Sequence, residues 1–167
     1  MVRRSRTLHR QPIQLSIVMS LPVLVSSCLL GLATRYDGKS KRNDRVINYL
    51  RENDLTPIPV CPEQLAGLPT PRPRTFFSSG CGHEILDGSG CVVNEHGTTM
   101  NDAFIRGAVQ TLQVARLSCC RLAILKERSP SCGVHQVYRQ ETRIDGEGVT
   151  CALLKSEGIE VISEEDL

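Results

Sequence analysis

Residues 21–31 read Leu-Pro-Val-Leu-Val-Ser-Ser-Cys-Leu-Leu-Gly (LPVLVSSCLLG), and two readings of this stretch lead to different proteins. Preceded by Arg3, Arg4, Arg6 and Arg10 and by an apolar run from Ile13, it has the order of a secretory signal. Val25-Ser26-Ser27-Cys28 then matches a lipoprotein cleavage box, and Arg3-Arg4 fits a twin-arginine signal. The competing reading makes Leu21–Ser27 a buried first strand that ends in a functional loop. Four of its seven residues are Leu or Val, Pro22 sits at its start, and Gly31 follows its end. Apolar residues continue through Leu29-Leu30-Gly31-Leu32, where a processed lipoprotein turns polar. Gln14 and the serines interrupt the ~20 apolar residues that a membrane span needs. The strand reading is the better supported. It makes residues 1–18 a disordered basic leader or an upstream mis-start before Met19, and residues 19–167 one domain.

Composition narrows the class. A chain of 167 residues, 40% apolar and 23% charged, is neither disordered nor collagen-like. The formal charge is +2, but the four leader arginines account for it: residues 19–167 carry 16 basic and 18 acidic side chains. A domain at −2 with six aromatics and no Trp is not built to take nucleic acid as its main partner. Eight cysteines are too few for a disulfide scaffold of this length, so they are read as metal ligands, nucleophiles or core fillers.

Beyond the first strand, residues 42–54 place Val46, Ile47 and Leu50 on one helical face. Thr56–Val60 is a strand whose Pro57 and Pro59 point to a sheet edge. The four prolines of residues 61–75 suggest an ordered loop, and residues 84–93, turning through Asp87-Gly88-Ser89-Gly90, suggest a hairpin. Thr98, Thr99 and Asn101 are candidate caps for a helix to about Ser118, with a stripe of Met100, Phe104, Ala108, Leu112, Ala115 and Cys119. A strand over 121–125, a small hairpin near Val137-Tyr138, a helix over 149–156 and a strand over 159–162 complete the chain. Alternating strands and helices predict an α/β fold: a single Rossmann-like domain with a mainly parallel sheet flanked by helices.

Three cysteines share a context that the other five lack. Cys28, Cys61 and Cys132 each lie in a Gly/Pro-rich loop beyond a predicted strand, in SSCLLG, VCPE and SPSCG. In an open α/β sheet the carboxyl ends of the strands converge on the binding crevice, so three distant cysteines can meet there. Three thiolates suit tetrahedral zinc with an open position, or a [4Fe–4S] cluster with one iron left open as a Lewis acid. Cys81, Cys91, Cys119, Cys120 and Cys151 read as small hydrophobes.

The segments VSSCLLG…RYDG, PVCPEQLAGLPTPR, GA…TL…A, AILKERSPSCG and GxGVT…LL…GI together resemble the DUF523 family, which includes bacterial desulfidases acting on 2-thiouracil. The resemblance spans about residues 20–165 and implies a Rossmann-like domain with an oxygen-sensitive [4Fe–4S] cluster on Cys28, Cys61 and Cys132, one iron remaining open. It further implies acid–base roles for Glu63 of the CPE motif and Ser129 of SPSC. The reaction expected from it is non-redox: a soft thiocarbonyl sulfur suits a vacant iron, and a water activated by Glu63 attacks C2 of the ring. Ser131, Tyr36 and Lys126 are weaker candidates for substrate contact. Each also has a plain reading, as a loop hydroxyl, a turn residue before Gly38 and a solvated cation. The expected partner is a small thiolated pyrimidine, handled by a monomer or weak dimer; a thiolated nucleoside or tRNA, or a zinc or redox protein without catalysis, is the alternative. A Cys28 needed for iron cannot be a lipidated terminus, so the expected compartment is the reducing cytoplasm.

Overall fold

A computed structural model describes residues 20–167; the expectation for residues 1–18 lies outside the described residues. Leu21–Ser26 forms strand β1, followed by a 3-10 turn over Ser27–Leu30. Helix α1 (Asp44–Glu52) and strand β2 (Leu55–Val60) come next, then a one-turn helix α2 (Pro62–Leu65) and strand β3 (Thr75–Ser79). Helix α3 (Gly82–Asp87), strand β4 (Cys91–Asn94), helix α4 (Asn101–Leu117) and strand β5 (Leu122–Leu125) follow. Strands β6 (Gln136–Arg139) and β7 (Thr142–Asp145), helix α5 (Val149–Ser156) and strand β8 (Glu160–Ser163) end the chain. Among the described residues no helix is long and apolar enough to cross a membrane.

The main sheet has the order β2-β1-β5-β8, and all its pairings are parallel. The contested stretch is therefore an interior strand. Its side chains alternate: Val23 and Val25 face α1 in a core with Val46, Leu50 and Ile124, while Leu24 faces the opposite core with Leu112, Ala115, Ala123 and Leu125. Burial on both faces is why the strand reads as a continuous apolar run. Asn43 caps α1, its side chain accepting from the amides of Arg45 (2.9 Å) and Val46 (3.4 Å). Strand β2 lies at the sheet edge, where Pro57 and Pro59 are exposed and no outward N–H is needed.

A second four-stranded sheet, β4-β3-β6-β7, goes beyond the single sheet expected; the strand at 91–93 and the hairpin near Val137-Tyr138 belong to it. It is antiparallel except for a short parallel pairing of β3 with β6. Helices α4 and α5 join the two sheets. Leu112 and Ala115 of α4 pack on the parallel sheet, and Phe104 and Ala108 of the same helix pack with Phe77, Val92 and Val137 of the second.

Besides the short helix α2 inside the loop expected over 61–75, the structure corrects three local expectations. Residues 84–86 are helical, not half of a hairpin. Glu84 Oε2 accepts from the amide (3.0 Å) and the thiol (3.0 Å) of Cys81 to cap α3. The Asp-Gly pair ends that helix, with Gly88 at φ 84° in the left-handed region that glycine enters without cost. Second, α4 begins after Met100 with no side-chain cap; Asn101 instead binds the amide of Val92 (2.8 Å) and the carbonyl of Gly90 (2.9 Å), fixing the helix start to β4. Third, Cys119 is exposed beyond the end of α4 rather than part of its buried stripe.

Candidate active site

The chain steps from β1 outward to β2, then returns past β1 to β5, so the strand order reverses at β1. Ligands of open α/β sheets collect beyond the carboxyl ends of the strands at such a point. Cys28 stands in the turn after β1, Cys61 directly follows β2, and Cys132 lies in the loop after β5. All three line one cleft of about 430 Å³, and none of the other five cysteines does. Cys28 is 8% exposed and Cys132 5%. All eight cysteines are free thiols.

The thiols sense one another. Burial first, and then the charge of Cys61, pushes the Cys28 thiol up to about 11. Burial raises Cys132 well above the usual thiol range, a hydrogen bond from Ser26 opposes this, and the charges of Cys61 and Cys28 reinforce it. Cys61 Sγ approaches the carbonyl of Thr34 at 3.7 Å. Among the described residues no three His, Cys, Asp or Glu side chains are grouped to hold one shared metal ion.

Cys61 is also the residue before α2, whose Pro62 occupies the first helical position, where its missing N–H costs nothing. Helix α2 lies against α4 at Gly107: a Cβ there would meet the Pro62 carbonyl oxygen at 2.3 Å. This contact seats Glu63 in the wall of the cleft. Glu63 Oε2 accepts from Arg72 Nε at 2.5 Å in a pair whose side chains are 11% and 5% exposed. Its Oε1 accepts from the hydroxyl of Ser131 at 3.5 Å. Arg72 is the functional candidate that the sequence reading missed, although it closes the quoted motif PVCPEQLAGLPTPR.

The loop carrying Ser129, Ser131 and Cys132 is held from inside. Ser129 Oγ accepts the amides of Ser131 (3.2 Å) and Cys132 (3.2 Å), so the hydroxyl shapes the turn under the cysteine while lining the cleft. Ser131 is buried and does not line the cleft. Glu127, 4% exposed, collects on Oε1 the amides of Arg128 (3.2 Å), Val134 (3.3 Å), His135 (3.2 Å) and Gln136 (2.8 Å). The terminal acids fasten the same loop: buried Glu164 pairs with Lys126, Glu165 with Arg128 and Asp166 with His135. Lys126 thus lines the cleft but commits its ammonium to Glu164 and, at 3.1 Å, to the Glu127 carbonyl. Tyr36 lines the opposite rim with the Arg35 guanidinium 5.7 Å from its ring centre.

Burial pushes the Glu127 carboxyl up, but the amides of Gln136, His135 and Arg128 outweigh it and hold the group below its ordinary range. A depressed folded value stabilises the protein above the unfolded pKa of about 4.3 and loses that contribution as pH falls through the folded value. Glu127→Gln is therefore expected to cost about 1–3 kcal/mol at pH 7 in urea unfolding, because buried amides lose a charged acceptor. The difference from the parent chain should shrink below pH 4; a gap that stays constant on acidification would contradict this role.

The model of the 2-thiouracil desulfurase family matches residues 23–166. An uncharacterized protein, YbbK, of Bacillus subtilis (strain 168) is 37% identical over 148 residues, covering 87% of this chain and 97% of its own. Among solved structures, a [4Fe-4S]-dependent thiouracil desulfidase, TudS (DUF523Vcz), superposes with a TM-score of 0.76 at 38% identity, covering 89% of this chain and 93% of that one. With the match running from the first strand to the terminal acids, and with the cleft at the ends of β1, β2 and β5, the chain belongs to the 2-thiouracil desulfurase family.

Proposed function

We propose that the cleft is the active site of an iron–sulfur-dependent desulfidase that converts 2-thiouracil, or a related free thiolated pyrimidine, to uracil. The observation that carries this reading is the meeting of Cys28, Cys61 and Cys132 in one cleft, beside the largely shielded carboxylate of Glu63. Three soft, free thiols in one lining suit iron as ligands, and Cys28, Cys61 and Cys132 would hold the [4Fe–4S] cluster. With no fourth cysteine in the lining, the bound cluster would supply an open iron, a Lewis acid suited to a soft thiocarbonyl sulfur.

The chain's own residues provide the remainder. Glu63 stands in the wall with one oxygen tied to Arg72, leaving Oε1 to take a proton from the attacking water. Ser129 has a hydroxyl hydrogen free after its oxygen accepts two amides, and donates it toward the leaving sulfur or a ring heteroatom. Tyr36 offers a ring face at the rim, and Lys126 and Ser131 support the wall as partners of Glu164 and Glu63. The net change replaces C=S by C=O with water consumed and hydrogen sulfide released, so no electrons are supplied or removed. The activity is assigned to a monomer or weak dimer in the cytoplasm, a reducing compartment that suits eight free thiols.

The test is sulfide release by anaerobically iron-reconstituted protein offered 2-thiouracil, thiouridine and thiolated tRNA. Turnover of 2-thiouracil with equimolar uracil and sulfide, in the absence of any reductant, is expected. Turnover of thiolated tRNA alone would overturn the free-pyrimidine reading.

A further inference from the structure

We propose that Arg72 is a positioning residue for Glu63, aligning its carboxylate for proton transfer in the reaction proposed above. Arg72 is nearly inaccessible, and its guanidinium is saturated. Nε donates to Glu63 Oε2 at 2.5 Å; Nη1 and Nη2 donate to the Thr34 carbonyl at 3.2 and 3.1 Å. Nη1 also reaches the Pro69 carbonyl (3.3 Å) and Thr70 Oγ1 (3.1 Å), and Nη2 lies 3.9 Å from Cys61 Sγ. The backbone amide of Arg72 donates to the Tyr36 carbonyl at 2.8 Å. The residue therefore joins the loop after β1, the turn after β2 and the proline-rich loop at one point.

A buried ion pair is a poor source of stability, because desolvation offsets most of its attraction. What it supplies is direction. The planar fork of Arg72 has both arms on the Thr34 carbonyl and its Nε on Glu63, so one carboxylate oxygen is pinned while the Ser131 hydroxyl meets the other. Lysine keeps the charge but has no fork, and cannot hold the Thr34 carbonyl and Glu63 Oε2 in the same geometry. A misplacement of about 1 Å at a catalytic group costs on the order of 100-fold in rate.

A residue that only pins loops would behave differently from one that acts through Glu63, and a double-mutant cycle separates them. The chain, Arg72→Lys, Glu63→Gln and the double variant are each reconstituted anaerobically, and kcat, KM and iron per protein are measured with 2-thiouracil. Arg72→Lys should lower kcat about 10- to 100-fold, with KM within about 2-fold and iron content unchanged. On the Glu63→Gln background the same change should cost nothing further. Arg72→Ala should recover part of its kcat when guanidinium ion is added, and none with methylammonium. Multiplicative losses, loss of iron in Arg72→Lys, or wild-type kcat in Arg72→Lys would each overturn the inference. The inference rests on Glu63 as the base. If Glu63→Gln keeps wild-type kcat, that assignment falls and takes the role of Arg72 with it. If the parent chain releases no sulfide, the desulfidase reading has failed by itself.

Discussion

Replacement of Cys28, Cys61 or Cys132 by alanine should abolish sulfide release from 2-thiouracil and strip iron from the protein, whereas Cys119→Ala should leave both intact. The expectation rests on position. The first three thiols lie in the segments that follow three adjacent strands of one parallel sheet and line one cleft, while Cys119 is exposed beyond α4. Loss of a direct ligand should exceed the 10- to 100-fold penalty typical of a residue that merely supports one, so activity should drop by more than about 100-fold. A buried cysteine behaves as a small hydrophobe, and truncation to alanine should cost about 1 kcal/mol, too little to unfold the domain. Far-ultraviolet circular dichroism would therefore stay unchanged while iron and activity disappear. If iron were retained in all three variants, the ligand assignment would be wrong.

Glu63→Gln should lower kcat about 10²- to 10⁴-fold, the usual contribution of a general base, with iron content and KM close to those of the parent. Glutamine keeps the shape: its carbonyl oxygen can accept from Arg72 Nε while its amide nitrogen donates to the Ser131 oxygen, so the site geometry survives and only the proton acceptor is lost. Kinetics on 2-thiouracil with parallel iron analysis would check it. Unchanged kcat would remove Glu63 from the chemistry. Ser129→Ala is a less clean probe, because Ser129 Oγ also holds the amides of Ser131 and Cys132 in place.

Much of this site is legible in the sequence where the physics is local. The stretch LPVLVSSC is apolar on both faces because an interior parallel strand is buried on both faces, and that outweighs its likeness to a signal peptide. Pro57 and Pro59 mark an edge because only an edge tolerates missing donors. The three cysteine loops stand out because strand ends and loop composition coincide. The second sheet is harder to see. Its strands have four or five residues, and Phe77, Val92 and Val137 share a core with Ile85 of α3, Phe104 and Ala108 of α4 and Val149 of α5, most of them distant in the chain. Thr75-Phe76-Phe77 carries the β-branched and aromatic residues of a strand, a signal that the neighbouring prolines obscure. Helix α3 imitates a hairpin because Asp-Gly serves both hairpin turns and helix ends. Arg72 is the most informative omission. Nothing in a run of prolines shows that its side chain is buried, or that it reaches nine residues back across α2 to Glu63. The terminal acids are similar: nothing in their sequence shows that Glu164, Glu165 and Asp166 bind Lys126, Arg128 and His135 of the Cys132 loop.

The central claim is that three cysteines of this chain hold a catalytic [4Fe–4S] cluster in this cleft. Purification without oxygen, with iron, acid-labile sulfide and zinc quantified alongside turnover of 2-thiouracil, tests it most directly. The account predicts a brown protein with about four irons and four sulfides per chain, broad visible absorbance and sulfide release that follows iron content. A colourless, zinc-replete protein that turns over 2-thiouracil at full rate would contradict it.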